Sequence, residues 1–378
     1  MSSTLAEVVS GEQSTEGEDR QIFVDLAGDE PIRAEIYGLE HLEAHARQLA
    51  KASAKVRITT DPSPLRHFAQ NHQALLLAHR RVVELSRQQP DFGPHADWLL
   101  DNFYIVEEAL REVRQDLPQG YYAELPKLVA GPLAGYPRIH ALALALIAHT
   151  DSSLDEPHIA RFVQAYQTVV PLTIGELWAV PTMLRLGLLE NLRRLAEAML
   201  RDWHDRRAAD QWAATYLSLD DGGQRSEVHS ARVAIAGSDS AILQSRASAV
   251  PHPATTPPLP ERLSDSFLVR LLQVLRDHGP AGAATTEWLE RVLAERGTNP
   301  ADILRREHQR QAANQVSISN CVTSLRLLSA LDWSVFFERT SLVEAILRDD
   351  PARVYPRQEF ATRDRYRQAV EQLARGAD

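Results

Sequence analysis

The sequence predicts an all-α fold, a multi-helix array of antiparallel helices in two helical halves joined by a Pro/Ser/Gly-rich connector. Three observations carry this. Apolar residues recur at steps of three and four along most of the 378 residues, a spacing that lines one helix face and that a strand cannot use. Only Phe23 to Ile32 reads as a short extended stretch, bounded by the turn signal Gly28-Asp29-Glu30-Pro31. Between Asp220 and Pro260 the composition shifts to Gly, Ser and Ala and then to five prolines in the last thirteen residues, which suits a connector. The expected organisation is a disordered tail over 1–20, an N-terminal helical domain over 21–221, a connector over 222–260 and a C-terminal helical domain over 261–378.

The elements follow in order. Glu40 to Lys55 forms a first helix, with Leu42, Ala46, Leu49 and Ala52 on one face. Asp61-Pro62-Ser63-Pro64 breaks the chain, and a helix runs from there to about Gln89. From Pro94 to Asp116, the residues Leu99, Phe103, Val106, Leu110, Val113 and Leu117 make a single seam. Tyr136 to His149 is almost wholly apolar and reads as a buried helix. Asp155-Glu156-Pro157 is an N-cap with a first-turn proline. A long helix spans Ile174 to Asp205, and Pro181 inside it is expected to kink or restart it. Helices follow over 262–278, 284–296, 300–316, 317–331, 333–346 and 362–374, the last of them Arg-rich.

Composition narrows the function classes. The chain is 44% hydrophobic, enough for a real core, and its formal charge of −10 argues against a dedicated nucleic-acid binder. Cys321 is the single cysteine, so an internal disulfide and a cysteine metal cluster are excluded. Met1 to Arg20 lacks an apolar signal core, and the longest apolar run, Ala141 to Ala148, falls short of the roughly 18–20 residues that span a bilayer. A soluble chain is expected.

The densest mixture of aromatic, polar and Gly/Pro residues lies between Tyr121 and Leu200, and it holds the candidate site. Tyr121, Tyr122, Tyr136 and Trp178 could stack on sugar rings while Glu124, Arg138 and Lys127 bond hydroxyls; junction packing is the competing use of such residues. His149-Thr150-Asp151 offers a His–Asp pair, or a helix end whose free carbonyls the histidine satisfies. Thr173-Ile174-Gly175-Glu176 is a capping box, which by itself explains the spacing of Glu176. A general acid or base at Glu176 would need a partner, and Glu190 would stand about 21 Å away on one straight helix. Glycosidase carboxylates need roughly 5–10 Å. His41 and His45 share a helix face with no third ligand in view, so no metal site and no catalytic residue is assigned. The arginines Arg326, Arg363, Arg365 and Arg367 could hold phosphate, but ion pairs with Asp332, Glu338 and Asp364 are the simpler use. The chain has no G-x-G-x-x-G, Walker or G-x-S-x-G motif.

The same stretch resembles the N-terminal region of bacterial cyclic β-1,2-glucan synthases. The runs that carry the resemblance begin at Tyr121-Tyr122-Ala123-Glu124-Leu125-Pro126-Lys127-Leu128 and Gly131-Pro132-Leu133-Ala134-Gly135-Tyr136-Pro137-Arg138. They continue with His149-Thr150-Asp151, with Leu172 to Val180, and with Glu190-Asn191-Leu192-Arg193-Arg194. Leu99 to Tyr104, Thr323 to Arg326, Asp350 to Tyr355 and Phe360 to Arg367 extend it, so that it covers about residues 21 to 378. Gln358-Glu359 and Pro181 depart from the family pattern. The resemblance implies long, multidomain inner-membrane proteins that use UDP-glucose and a divalent metal in a membrane-embedded glucosyltransferase domain. They elongate and cyclise the glucan there, and a phosphorylase-like region trims it. No D-x-D motif that would hold the metal is present in this chain.

The expectation is therefore an N-terminal helical, non-catalytic module with no cofactor of its own. Its partners would be the transferase and membrane domains of the synthase, and β-1,2-glucan as a second candidate; nucleic acid is not among them. It would lie in the cytoplasm at the inner-membrane face, packing on the transferase or guiding glucan to it. The alternative is a stand-alone α-helical carbohydrate-binding protein or glycan-active enzyme. Its substrate site would be Tyr121, Tyr122, Glu124, Tyr136, Arg138, His149, Asp151, Glu176 and Trp178.

Overall fold

The structure, a computed structural model, describes residues 23, 28–61, 63–88, 94–220, 259–260 and 263–375. Among them stand fourteen α-helices and a single two-stranded sheet, so the fold is all-α. The helices are α1 (Leu39–Ala52), α2 (Ser63–Gln88), α3 (Pro94–Asp101), α4 (Phe103–Asp116), α5 (Gln119–Glu124), α6 (Arg138–His149) and α7 (Glu156–Gln167). There follow α8 (Ile174–Asp220), α9 (Asp265–Asp277), α10 (Pro280–Glu295), α11 (Pro300–Ala330), α12 (Trp333–Thr340), α13 (Leu342–Arg348) and α14 (Phe360–Arg375). Strands β1 (Val56–Arg57) and β2 (Lys127–Leu128) pair antiparallel, Val56 opposite Leu128. The described part of Phe23 to Ile32 carries no strand, and the expected tail and most of the expected connector lie outside the described residues.

Two compact units form, one from residues up to Ala198 together with Asn314 onward, the other from Met199–Ala313. Residues 314 onward thus group with the N-terminal part of the chain, which a linear reading of the helices did not draw. Buried polar contacts at the end of α6 show why. Asp151 and Ser152 take left-handed φ of 47° and 63°, uncommon for residues with a Cβ. Their groups are then claimed from far along the chain. Asn320 Nδ2 donates to Asp151 O at 2.9 Å and Ser324 Oγ to Ser152 O at 2.6 Å. Ser317 donates to the Asp151 carboxylate, which Arg33 Nε also reaches at 3.2 Å. Asn191 Nδ2 donates to Ser152 Oγ at 2.8 Å, while its Oδ1 accepts from Ile32 N at 2.7 Å. Each of these groups would cost free energy if buried unpaired, so the hub fixes which segments meet here.

The core of this first unit is α6 against the first half of α8. All twelve residues of α6 are buried. Their close approach depends on Gly187, where a Cβ would lie 2.5 Å from Ile147 Cδ1. α1 packs along α7, and Ser53 and Tyr166 share a hydroxyl–hydroxyl bond of 2.5 Å. α8 does not restart at Pro181; both flanks of the proline are buried on nearly every side, and packing holds the helix where propensity alone would end it. The 94–116 seam is divided at Asn102, whose Nδ2 turns back to Trp98 O at 2.8 Å. The reverse occurs at 300–331, where two expected helices are one. Ser341 splits the expected 333–346 helix, its hydroxyl capping α13 through Glu344 N at 3.2 Å.

The second unit has its own core, with Trp212, Phe267, Leu271, Leu275, Trp288, Leu289 and Ile303 among its buried residues. α9 begins on a Ser264 cap. α9 and α10 cross closely at Gly282, where a Cβ would stand 2.0 Å from Leu275 O; any larger residue has to separate the two backbones.

Candidate functional site

The capping box forms as its sequence specifies. Thr173 Oγ1 accepts from Glu176 N at 3.1 Å, and Thr173 N donates to Glu176 Oε2 at 2.9 Å. A capping glutamate is normally half in water, yet this one is fully buried, and a second partner makes that possible. Arg138, on the first turn of α6, sends Nε to Oε1 at 2.6 Å and Nη2 to Oε2 at 2.7 Å. The same Nη2 reaches Pro171 O at 3.0 Å. Burial works against the charged guanidinium, but the bonds and charge of Glu176 outweigh it and raise the Arg138 pKa above its ordinary value. Tyr121 completes the group by donating to Gly175 O at 2.6 Å; burial first, then the charge of Glu176, raises its pKa. Tyr121, Arg138 and Glu176 are thus brought together as a helix-start clamp.

The other candidate residues fall into separate surroundings. Trp178 is stacked on Phe337 with ring centroids 4.7 Å apart and meets Phe360 edge-on at 6.1 Å, so its faces are turned to the C-terminal helices. Tyr122 is buried beside Lys127, whose ammonium lies 4.6 Å above the ring and donates to Tyr122 O, Ala123 O and Leu125 O. This lysine closes the end of α5, satisfying carbonyls that the helix leaves open. Tyr136 is half-buried and stacks on His140 at 5.8 Å, with Phe68 edge-on to both. Glu124 is exposed. His149 and Asp151 do not face each other: His149 Nδ1 bonds Glu35 O at 2.8 Å, and its ring stacks on Tyr37.

Burial of two histidines gives the fold an acid limit. His45, 4.4 Å by ring centroid from His149, has its pKa lowered to about 4, first by burial and then by that neighbour. His140 is likewise lowered to about 4, by burial above all. A depressed folded-state pKa means that the stabilising contribution is complete above the unfolded value near 6.5 and is lost as pH falls through about 4. Unfolding free energies from urea denaturation across this window should fall, by roughly 3 kcal/mol for each histidine over the whole range. His140→Leu should flatten about half of that slope.

Sequence reasoning missed a cleft of about 210 Å³ between α2, α4 and α8, walled by Phe68, Leu110, Leu117 and Leu186, with His72, Arg114 and Glu190 as polar members. No motif announces it, since its walls are the ordinary apolar seams of three helices far apart in sequence. Glu190 is not an open carboxylate there. Arg193 Nη2 and Arg194 Nε both reach its Oε1, at 2.9 and 2.7 Å. Burial acts to raise its pKa, but these arginines hold it below the usual range.

No protein-family profile matches the chain. Over 349 residues, 92% of its length, it is 32% identical to the cyclic beta-(1,2)-glucan synthase NdvB of Rhizobium meliloti. The chain is homologous to part of that synthase. It spans 11% of the length of this synthase relative. The match runs across the region that the sequence runs around Tyr121 to Arg194 singled out, so residues of the Arg138–Glu176 clamp and of the Asn191 hub are the ones the resemblance rested on. Among the described residues, no helix is long and apolar enough to cross a membrane, and no group of three or more His, Cys, Asp or Glu is placed to hold a metal ion.

Proposed function

We propose that this chain is a helical, non-catalytic module of a cyclic β-1,2-glucan synthase, packing on the glucosyltransferase region or guiding glucan to it. In this reading UDP-glucose and its divalent metal are handled by another region of the synthase, which also keeps the module at the cytoplasmic face of the inner membrane. The observation that carries the proposal is the 32% identity along 92% of the chain against only 11% of the relative. The site geometry supports it. The central carboxylates are committed to structure, Glu176 to Arg138 and its own helix start, Glu190 to Arg193 and Arg194. A general acid or base needs a free position toward substrate.

The test is association. Purified chain is added to membranes carrying a glucan synthase from which the region aligned with this chain has been deleted. Saturable binding is expected; binding no greater than that of an unrelated helical protein would contradict the proposal. Titration of the chain with linear β-1,2-glucan then decides between its two arms, with saturable binding assigning the guiding role.

A further inference from the structure

A second cleft lies wholly within the Met199–Ala313 unit and is independent of the glucan reading. It measures about 170 Å³ and is lined by Arg206 of α8, by Ser266, Val269, Arg270 and Gln273 of α9, and by Glu307, His308 and Gln311 of α11. By the space a water needs, that is room for on the order of ten waters. Its lining residues, Val269 apart, carry polar side chains, unlike the leucine-walled cleft of the first unit.

The charged groups around it divide into matched and unmatched. Glu307 is buried and fully engaged: Arg310 reaches both of its oxygens at 2.8–3.0 Å, and Ser266 and Gln311 donate to Oε1. Arg310 also holds Asp202 at 2.7 Å. Arg270 gives Nε to Asp210 at 2.7 Å, while its Nη1 makes only a 3.4 Å contact with Gln273. Arg206 is half-buried and, among the described residues, has no hydrogen bond or ion pair. A guanidinium drawn partly out of water without an acceptor is unfavourable. Here it shares a cleft with a second arginine, a histidine and a glutamine amide, all of them donors or potential donors.

We propose that this cleft binds a tetrahedral oxyanion, the phosphate group of inorganic phosphate or of a small phosphate ester. Arg206 is its principal ligand, since a guanidinium offers paired N–H donors that match phosphate oxygens. The Arg270 Nη groups, Gln273 and His308 supply the further donors. Glu307 does not repel the anion as a bare carboxylate would, because Arg310 and Gln311 already occupy its oxygens. The cleft is partly open to solvent, so an ester can leave its organic part in water.

The experiment is calorimetric titration of the full chain with inorganic phosphate, glycerol phosphate and, at matched ionic strength, chloride. Saturable phosphate binding is expected, weakened about tenfold or more in Arg206→Gln, which removes one charge-assisted contact. Arg206 has no structural partner to lose among the described residues, so this variant should melt where the parent does without phosphate. Gln273→Ala, at an exposed position, gives a second, smaller loss of affinity. Tighter binding of glycerol phosphate than of phosphate, abolished by the same substitution, also supports the site and assigns it to an ester. An equal response to chloride, undiminished binding in both variants, or no saturable binding of either phosphate at about 10 mM, far weaker than ordinary ligand affinities, would overturn it.

Discussion

Arg138→Met should lower the unfolding free energy by about 3–5 kcal/mol, the cost of leaving a buried charge without its counter-ion. Glu176 is fully buried and Arg138 nearly so, and among the described residues their bidentate contact is the one ion pair of either. Losing the guanidinium leaves a carboxylate with one backbone donor, Thr173 N, but no cation. Glu176→Gln should also be destabilising, since it leaves the buried Arg138 guanidinium without its counter-ion, although the amide oxygen still accepts from Thr173 N and keeps the cap. Pairing Arg138→Met with Glu176→Leu should recover much of the loss, since replacing both members of a buried pair by apolar residues is often near neutral. Urea denaturation of the four proteins measures this directly. A site residue would behave differently: Glu176→Gln would leave stability unchanged and remove an activity.

Glu344→Ala should be as damaging, about 3–5 kcal/mol, for a related reason. Arg367, in α14, is completely buried, as is Glu344, and they meet at 2.6 Å. The same carboxylate accepts from Arg348 Nε at 2.7 Å and from the Tyr355 hydroxyl at 2.5 Å. Burial tends to raise the Glu344 pKa, yet Tyr355, Arg367 and Arg348 hold it below the usual range. One carboxylate therefore joins α13, the turn at Tyr355 and α14. Its removal should release α14 and, with Arg367, the cation that lies about 5 Å over the rings of Phe337 and Phe360. Amide exchange should show protection lost over residues 360–375 before the α6–α8 core is affected.

Helical periodicity made the element inventory legible, because a three-and-four seam leaves a strand no consistent face. The chain ends of helices were less so. Asn102 and Ser341 each divide a seam whose apolar spacing runs on across the break, and the decision lies in one side chain turning back to the backbone. At Pro181 the expected restart does not occur, since the packing that keeps α8 continuous comes from residues distant in sequence. At the candidate site, the capping box was readable because both its partners lie three residues apart. The Arg138–Glu176 pair was not, since 38 residues separate its members. The same holds for the hub at Asp151 and Ser152, whose partners Ser317, Asn320 and Ser324 come from α11. That Arg206 has no partner among the described residues was beyond sequence reading altogether, because it is a property only of the folded arrangement.

In the function proposed above, the central stretch is structural and the chemistry lies in another region of a synthase. The most direct measurement is incubation of the purified chain with radiolabelled UDP-glucose and a divalent metal, followed by separation of any β-1,2-glucan. No label above the protein-free blank should enter glucan, with the folded state verified by the cooperative urea transition described above. Incorporation that scales with the amount of chain and is removed by Glu176→Gln in a variant that stays folded would contradict the account and restore the clamp as an active site.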